Sequence, residues 1–340
     1  MIKCSLVIRC YNEEQHIGRL LSGIMEQTVA NREIIVVDSG STDATVSIAS
    51  RYPVKILSIR PEDFSFGRAL NIGCRAACGD IIVIASAHVY PVYKDWLENL
   101  LASFHRPEVA LVYGKQRGNE ITKYSEHQVF AKWFPDIPDS SQSHPFCNNA
   151  NAAIRRQVWE QIPYDETLTG LEDLDWAKRA QQLGYEILYE PEAEIVHVHD
   201  EPMSKIYNRY RREAIALKHI LPQEHFHLWD FIRLFLGNAI SDYYHAWCDC
   251  LLWQNLTEIF LFRLMQFWGT YQGFRQHGKL SSQLKQTFYY PHGLTRSRFP
   301  KTNNQQQRAI DYSTHPKEPE IARNYWYLGS PKTRDACLAR

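Results

Sequence analysis

The chain has 340 residues, with 38 Lys or Arg balancing 38 Asp or Glu and 44% hydrophobic residues. That length buries a large core, and the zero formal charge gives no global field to steer nucleic acid. The eight cysteines form no C-x-x-C pair, "MIKCSLVIRCYNEE" lacks the order of a signal peptide, and polar residues break the longest apolar run. A zinc ribbon, a secreted disulfide scaffold and a membrane span are therefore not expected; the expected setting is a reducing cytoplasm, with peripheral contact at the inner face of the membrane.

In chain order, strands and helices alternate over the first two hundred residues. "CSLVIRC" reads as a buried strand, and Ile17, Leu20, Leu21 and Ile24 recur at helical spacing, predicting a helix from about Glu13 to Gln27. "REIIVVD" and "VKILSIR" are the next strands, and "STDATVSIASRY" between them offers Ser, Thr and Asp for a helix start. "FGRALNIGCRAACG" predicts a helix closed by Gly79, and "DIIVIAS", a helix over "KDWLENLLASFH" and "EVALVYG" continue the alternation. Strands joined by single helices need crossovers, so the expected fold is α/β, a mostly parallel sheet flanked by helices. Ligands of such sheets bind beyond the carboxyl ends of the strands, which points to Arg9–Tyr11, Asp38, Arg60 and Ser86–His88.

After residue 200 the pattern changes. "MSKIYNRYRREAIALKHI" is a basic helix, 228–276 is rich in aromatics at helical spacing, and 281–340 carries ten Lys or Arg against four acidic residues. The expected division is an α/β domain over 1–215, an aromatic helical region over 216–280 and a basic, irregular tail over 281–340. The aromatics are expected to pack together or against the α/β domain, with an interfacial platform at a membrane as the alternative.

"CYNEE" places Tyr11 after the first strand, and "VVDSGSTD" ends the next strand on Asp38. A flat ring and a carboxylate at neighbouring strand ends suit a nucleoside, which needs a stacking face and a hydrogen-bond acceptor. These two stretches resemble the opening of the inverting family 2 glycosyltransferases. The resemblance implies a GT-A fold and a nucleotide sugar bound over the first half of the sheet. It extends through about residue 215, with a loose likeness beyond.

"TGLEDLDW" follows a loop ending at Gly170 and sets Glu172 and Asp173 at a helix start, where the dipole favours ionised carboxylates. Such a carboxylate can take a proton from an acceptor hydroxyl, and the resemblance implies Asp173 as general base within the family's Glu-Asp motif. Asp173-Leu174-Asp175 is the D-x-D string of the chain, but residues i and i+2 of a helix do not face each other, so it is not read as a metal site. The strand "IIVIAS" instead ends in Ser86-Ala87-His88, where the family carries a D-x-D motif. His88 and the strand pair His197 and His199, which share a face, are the expected metal ligands. With phosphate oxygens completing the shell, nitrogen ligands favour Mn²⁺ over Mg²⁺; direct hydrogen bonding of His88 to a diphosphate is the alternative.

Arg9, Tyr11, Asp38, Arg68 and Ser86 are the expected nucleotide contacts, with Arg68 or Arg60 replacing the Arg that the family carries where Leu70 stands here. "HPFCNNANAAIRR" offers Asn149 and Asn151, with Gly170, to sugar or acceptor hydroxyls. Of Arg209, Arg211 and Arg212, two are expected on a solvated face. The expected activity is transfer of a sugar from a nucleotide donor, UDP first among candidates, to a saccharide or lipid-linked saccharide in surface polysaccharide synthesis. The rivals are nucleotidyl transfer, whose Gly-rich and Lys signature is missing from "RCYNEEQHIG", and a non-catalytic sugar-nucleotide-binding or scaffold protein.

Overall fold

The computed structural model describes residues 4–139, 142–276 and 282–289. The buried run Cys4–Cys10 forms β1, and α1 (Ile17–Met25) buries Ile17, Leu20, Leu21 and Ile24 on one face. This helix starts later than its periodicity suggests. The Glu13 amide donates to Thr45 Oγ1 (2.7 Å) and the Glu14 amide to Asp43 Oδ2 (3.1 Å), so both residues belong to a loop.

There follow β2 (Arg32–Asp38), α2 (Thr45–Ala49), β3 (Lys55–Ser58), α3 (Phe66–Ala76), β4 (Ile81–Ser86), β5 (Val89–Pro91), α4 (Trp96–Leu101), β6 (Val109–Arg117) and α5 (Tyr124–Trp133). Next come β7 (Asn151–Arg155), α6 (Arg156–Gln161), α7 (Glu172–Gln182) and β8 (Glu186–His197). The described chain closes with α8 (Met203–Ile220), α9 (Leu228–Cys248), α10 (Leu252–Arg275) and α11 (Ser282–Tyr289). The aromatic stretch 228–276 is thus two helices, separated at Cys250, whose φ of 58° is left-handed. The expected boundary after residue 215 is not a break, because α8 runs through it without interruption.

The strands form one eight-stranded sheet in the order β3-β2-β1-β4-β7-β6-β8-β5. β1 is parallel to β2 and β4, β2 to β3 and β6 to β8, while β7 and β5 run antiparallel to their neighbours. Register sets the chemistry of the carboxyl edge. Cys10 pairs with Asp38, Arg9 with Ser86, and Val89 with His197, so residues distant in sequence share one rim.

Alternation along β1 feeds two cores. Leu6, Ile8 and Cys10 pack with α1 and with Trp96, Leu97 and Leu100 of α4, while Val7 packs with Ala69, Leu70 and Cys74 of α3 and with Trp176 and Ala177 of α7. A sheet buried on both faces explains its near-continuous apolar strands.

Candidate active site

Two loops at the carboxyl edge are laced together by the motif residues. Asp38 is buried, and its carboxylate accepts from the amides of Gly40 (3.1 Å) and Ser41 (3.1 Å). Gly40 has φ +86°, and a Cβ there would meet Pro61 at 2.8 Å, so the turn requires glycine. From the other loop, Asn12 Oδ1 accepts from the Thr42 amide (2.8 Å) and Glu14 Oε2 from the Ala44 amide (2.9 Å). Much of "YNEE…DSGSTD" therefore builds the loops themselves. Tyr11 stands at this edge, half-buried.

The acidic turn meets the same edge. Arg9, at the end of β1, pairs with Glu172 at 3.1 Å, and its guanidinium lies over the Phe66 ring (4.9 Å), with Arg212 also over that ring (4.6 Å). Leu171 adopts a left-handed φ of 55° directly before α7, turning Glu172 and Asp173 into its first turn. Asp173 Oδ2 accepts from the Asn149 amide (3.0 Å) and Oδ1 from its neighbour Leu174 (2.8 Å). Burial, together with the Glu172 charge, raises the Asp173 pKa to about 7, with the two amides and Arg9 opposing. Asp175 instead bonds Arg179 at 2.8 Å along the helix, so the D-x-D string has no common face.

The two asparagines separate. Asn149 is buried, accepts from the Tyr164 hydroxyl (3.4 Å), and leaves Nδ2 without a partner among the described residues. Asn151 is fully buried; its Oδ1 accepts from Trp96 Nε1 (2.9 Å), and its Nδ2 donates to the carbonyls of Ala193 (2.7 Å) and Lys115 (3.1 Å). The expected sugar contact at Asn151 is thus corrected: its polar atoms are spent joining α4, β7, β6 and β8. Gly170 is buried beside Arg212. Ser86 ends β4 half-buried, and Arg68 is exposed on α3. Arg60 points outward and pairs with Asp63 (2.7 Å) and Glu62 (3.6 Å), so its charge is already answered.

His88, His197 and His199 come together, with one ligand atom from each lying within 4.8 Å of the others. Their outer nitrogens are held. His88 Nδ1 bonds Glu13 Oε1 (2.8 Å), His197 Nδ1 bonds Gln116 Oε1 (2.8 Å), and His199 Nδ1 bonds Glu126 Oε1 (2.6 Å). With those protons on Nδ1, the Nε2 atoms of His197 and His199 face each other as lone pairs at 3.0 Å, an arrangement that a cation relieves. Burial, then the neighbouring His199 and His88, pushes the His197 pKa well below its ordinary value, keeping that ring neutral and able to ligate. The donor set fits a divalent ion with open positions for oxygen ligands. The Arg9 charge acts on both His88 and Asp173, which ties the cluster to the acidic turn.

Of the three residues that hold these rings, Glu13 lies within the "CYNEE" stretch but is not singled out there, while Gln116 and Glu126 carry no spacing signal that marks them as functional. Among the three arginines of α8, Arg209 pairs with Glu126 (2.6 Å) and Glu201 (3.1 Å), Arg211 bonds Gln276 (3.0 Å), and Arg212 stacks on Phe66. The expectation of a solvated face for two of them is corrected: all three are packed against neighbours. The tail aromatics divide as well. Phe262 is fully buried and Phe231 packs edge-on against Trp268, but Trp229, Trp247 and Trp253 are exposed.

The fold and the rim define the chain as a GT-A-fold protein. Among solved structures it resembles the mannosyltransferase PcManGT from Pyrobaculum calidifontis in complex with GDP-Man and Mn2+, at TM-score 0.54 and 20% identity over 86% of this chain and 88% of that one. Residues 5–162 match the family model described as Glycosyl transferase family 2. It is 29% identical over 222 residues to the O-antigen chain rhamnosyltransferase RfbN of Salmonella typhimurium, covering 62% of this chain and 70% of the relative. It is 31% identical over 196 residues to the O-antigen chain rhamnosyltransferase WbaN of Salmonella anatum, covering 54% and 62%.

Proposed function

We propose that the protein is an inverting glycosyltransferase that moves a hexosyl or rhamnosyl group from a nucleotide sugar to a saccharide or lipid-linked saccharide in surface polysaccharide assembly. The observation that carries this reading is the Arg9–Glu172 contact, which brings Asp173, with its pKa near 7, to the carboxyl ends of the strands. A base of that strength is about half ionised at neutral pH, more so above it, and accepts a proton well. In the reaction the acceptor oxygen attacks the anomeric carbon and its proton passes to the Asp173 carboxylate. The bond to the diphosphate breaks, and the nucleoside diphosphate leaves with the electron pair. Tyr11 and the 38–41 loop line the nucleoside, Arg9 and Ser86 face the phosphates, and the unpartnered Nδ2 of Asn149 donates to a sugar hydroxyl. His88, His197 and His199 are the residues that would hold a divalent ion, which would supply charge neutralisation for the leaving diphosphate.

Ser86-Ala87-His88 supports a reading in which imidazole stands in for the D-x-D ligands. The relatives' names support transfer of a rhamnosyl unit to a growing O-antigen chain, and a panel of UDP-, dTDP- and GDP-linked sugars distinguishes the donors. Contact with a lipid-linked acceptor is supported by one exposed face: Trp229, Leu236, Ile240, Tyr244 and Trp247 on α9, continued by Trp253 and Phe260 on α10.

The deciding experiment compares wild type with Asp173→Asn. Donor binding persists, and transfer falls about 100- to 10,000-fold, the usual size of a general-base contribution. Equal rates end the mechanism; donor binding without any transfer or hydrolysis by wild type favours a binding or scaffold protein. Turnover insensitive to chelator removes the three imidazoles as metal ligands and leaves direct hydrogen bonding of His88 to the diphosphate.

A further inference from the structure

The three imidazoles have a second layer, and one member of it is unlike the others. Glu13 follows β1 and Gln116 lies in β6, each serving one ring. Glu126, in α5, is buried, with its side chain only 3% exposed, and its Oε1 takes two contacts: His199 Nδ1 at 2.6 Å and Arg209 at 2.6 Å. Arg209 also approaches His199 Nδ1 at 3.3 Å. A guanidinium offers only donors, so the shorter, charge-assisted bond to the carboxylate decides the tautomer and leaves the proton on Nδ1.

Arg209 belongs to α8, outside the α/β sheet, and is itself held by Glu201 at 3.1 Å. The preceding residue on α5 is fastened from the same side. Ser125 Oγ donates to Asp242 Oδ2 of α9 (2.6 Å), and Arg263 of α10 grips that carboxylate at 2.7 and 2.9 Å.

We infer that Glu126, clamped by Arg209, is the positioning residue of the metal centre: it fixes the tautomer and orientation of His199, so that the centre is assembled before a nucleotide arrives. This rests on the three-histidine reading given above. It makes the C-terminal helices part of the catalytic unit, because the clamp originates in α8. Outer residues of this kind change metal affinity about 10- to 100-fold when altered.

The test titrates the full-length protein with Co²⁺ and no nucleotide, reading the visible ligand-field bands and the dissociation constant. Wild type, Glu126→Gln, Arg209→Gln, Arg209→Lys and Glu258→Ala are compared, with circular dichroism and thermal unfolding to establish folding. Glu258 anchors the start of α5 through the Tyr124 amide (2.9 Å) without touching a histidine, so it controls for helix attachment alone. The expected result is affinity about 10- to 100-fold weaker with altered bands in Glu126→Gln and Arg209→Gln. Arg209→Lys recovers part of the loss, and Glu258→Ala matches wild type. If Glu126→Gln does not fold, Arg209→Gln carries the test. Unchanged spectra and affinity in Glu126→Gln and Arg209→Gln overturn the inference, as does an equal loss in Glu258→Ala. A wild type that binds Co²⁺ without nitrogen-ligand bands removes the three-histidine reading itself, and this inference with it.

Discussion

Asp173 is where residue-level physics bears most directly on function. Its carboxylate is raised to about 7 first by burial and then by the Glu172 charge, so the acid limb of the pH–rate profile should turn near that value. Below it the rate falls about tenfold per pH unit, and Asp173→Asn removes the limb. Linkage gives an independent check. The folded-state value lies above the unfolded one, so the stabilising contribution is complete below the unfolded value and is lost as pH rises through about 7. The gap in unfolding midpoint between wild type and Asp173→Asn should therefore move in the variant's favour from about pH 5 to about pH 8. A gap independent of pH contradicts the raised value.

Between elements, the two asparagines offer a contrast that mutation can read. Asn151 joins α4, β7, β6 and β8, and Gly114 of β6 leaves it room: a Cβ there would lie 2.1 Å from the Ala193 carbonyl and 2.4 Å from Asn151 Nδ2. Asn151→Ala strands three partners, two of them buried, and should cost about 2–4 kcal/mol in denaturant unfolding, with donor KM near wild type in the folded fraction. Asn149→Ala should do the reverse, raising KM with a smaller loss of stability. If Asn151→Ala raises KM without lowering stability, the structural assignment fails. The loops 11–14 and 38–45 carry the same lesson, since residues that resemble ligand contacts also make their own architecture.

Across the whole molecule, α9 and α10 are joined by a buried ion pair, Arg263 with Asp242, whose side chains are 5% and 3% exposed, and Ser125 of α5 donates to the same carboxylate. Removing one partner leaves the other charge buried and alone. Arg263→Met should cost about 3–5 kcal/mol, and the double variant Asp242→Leu/Arg263→Met should recover much of it. Calorimetric or denaturant unfolding of the single and double variants reads this directly; a single variant as stable as wild type excludes the pair as an anchor. The outward aromatic face of the same two helices allows the proposed contact with a lipid-linked acceptor to be tested. Replacing Trp247 and Trp253 with Ser should reduce sedimentation with phospholipid vesicles while leaving the fold intact. Among the described residues no helix is long and apolar enough to cross a membrane.

The alternation of apolar strands with amphipathic helices was enough to read a mostly parallel α/β sheet, because both periodicities are local properties of a chain that must bury one stripe or both faces. The sequence likewise marked the strand ends, the acidic helix start and the histidine pair, since each combines a punctuated apolar run with a chemically distinct residue. What lies opposite what was decided only by tertiary structure. Register set Arg9 beside Ser86 and Val89 beside His197, and packing consumed Asn151 while leaving Asn149 Nδ2 unpartnered among the described residues. Glu13, Gln116, Glu126 and Arg209 became a second layer only because four separate elements meet at one rim. A long-range hydrogen bond has no period along the chain, so its partners become visible only when the sheet edge closes.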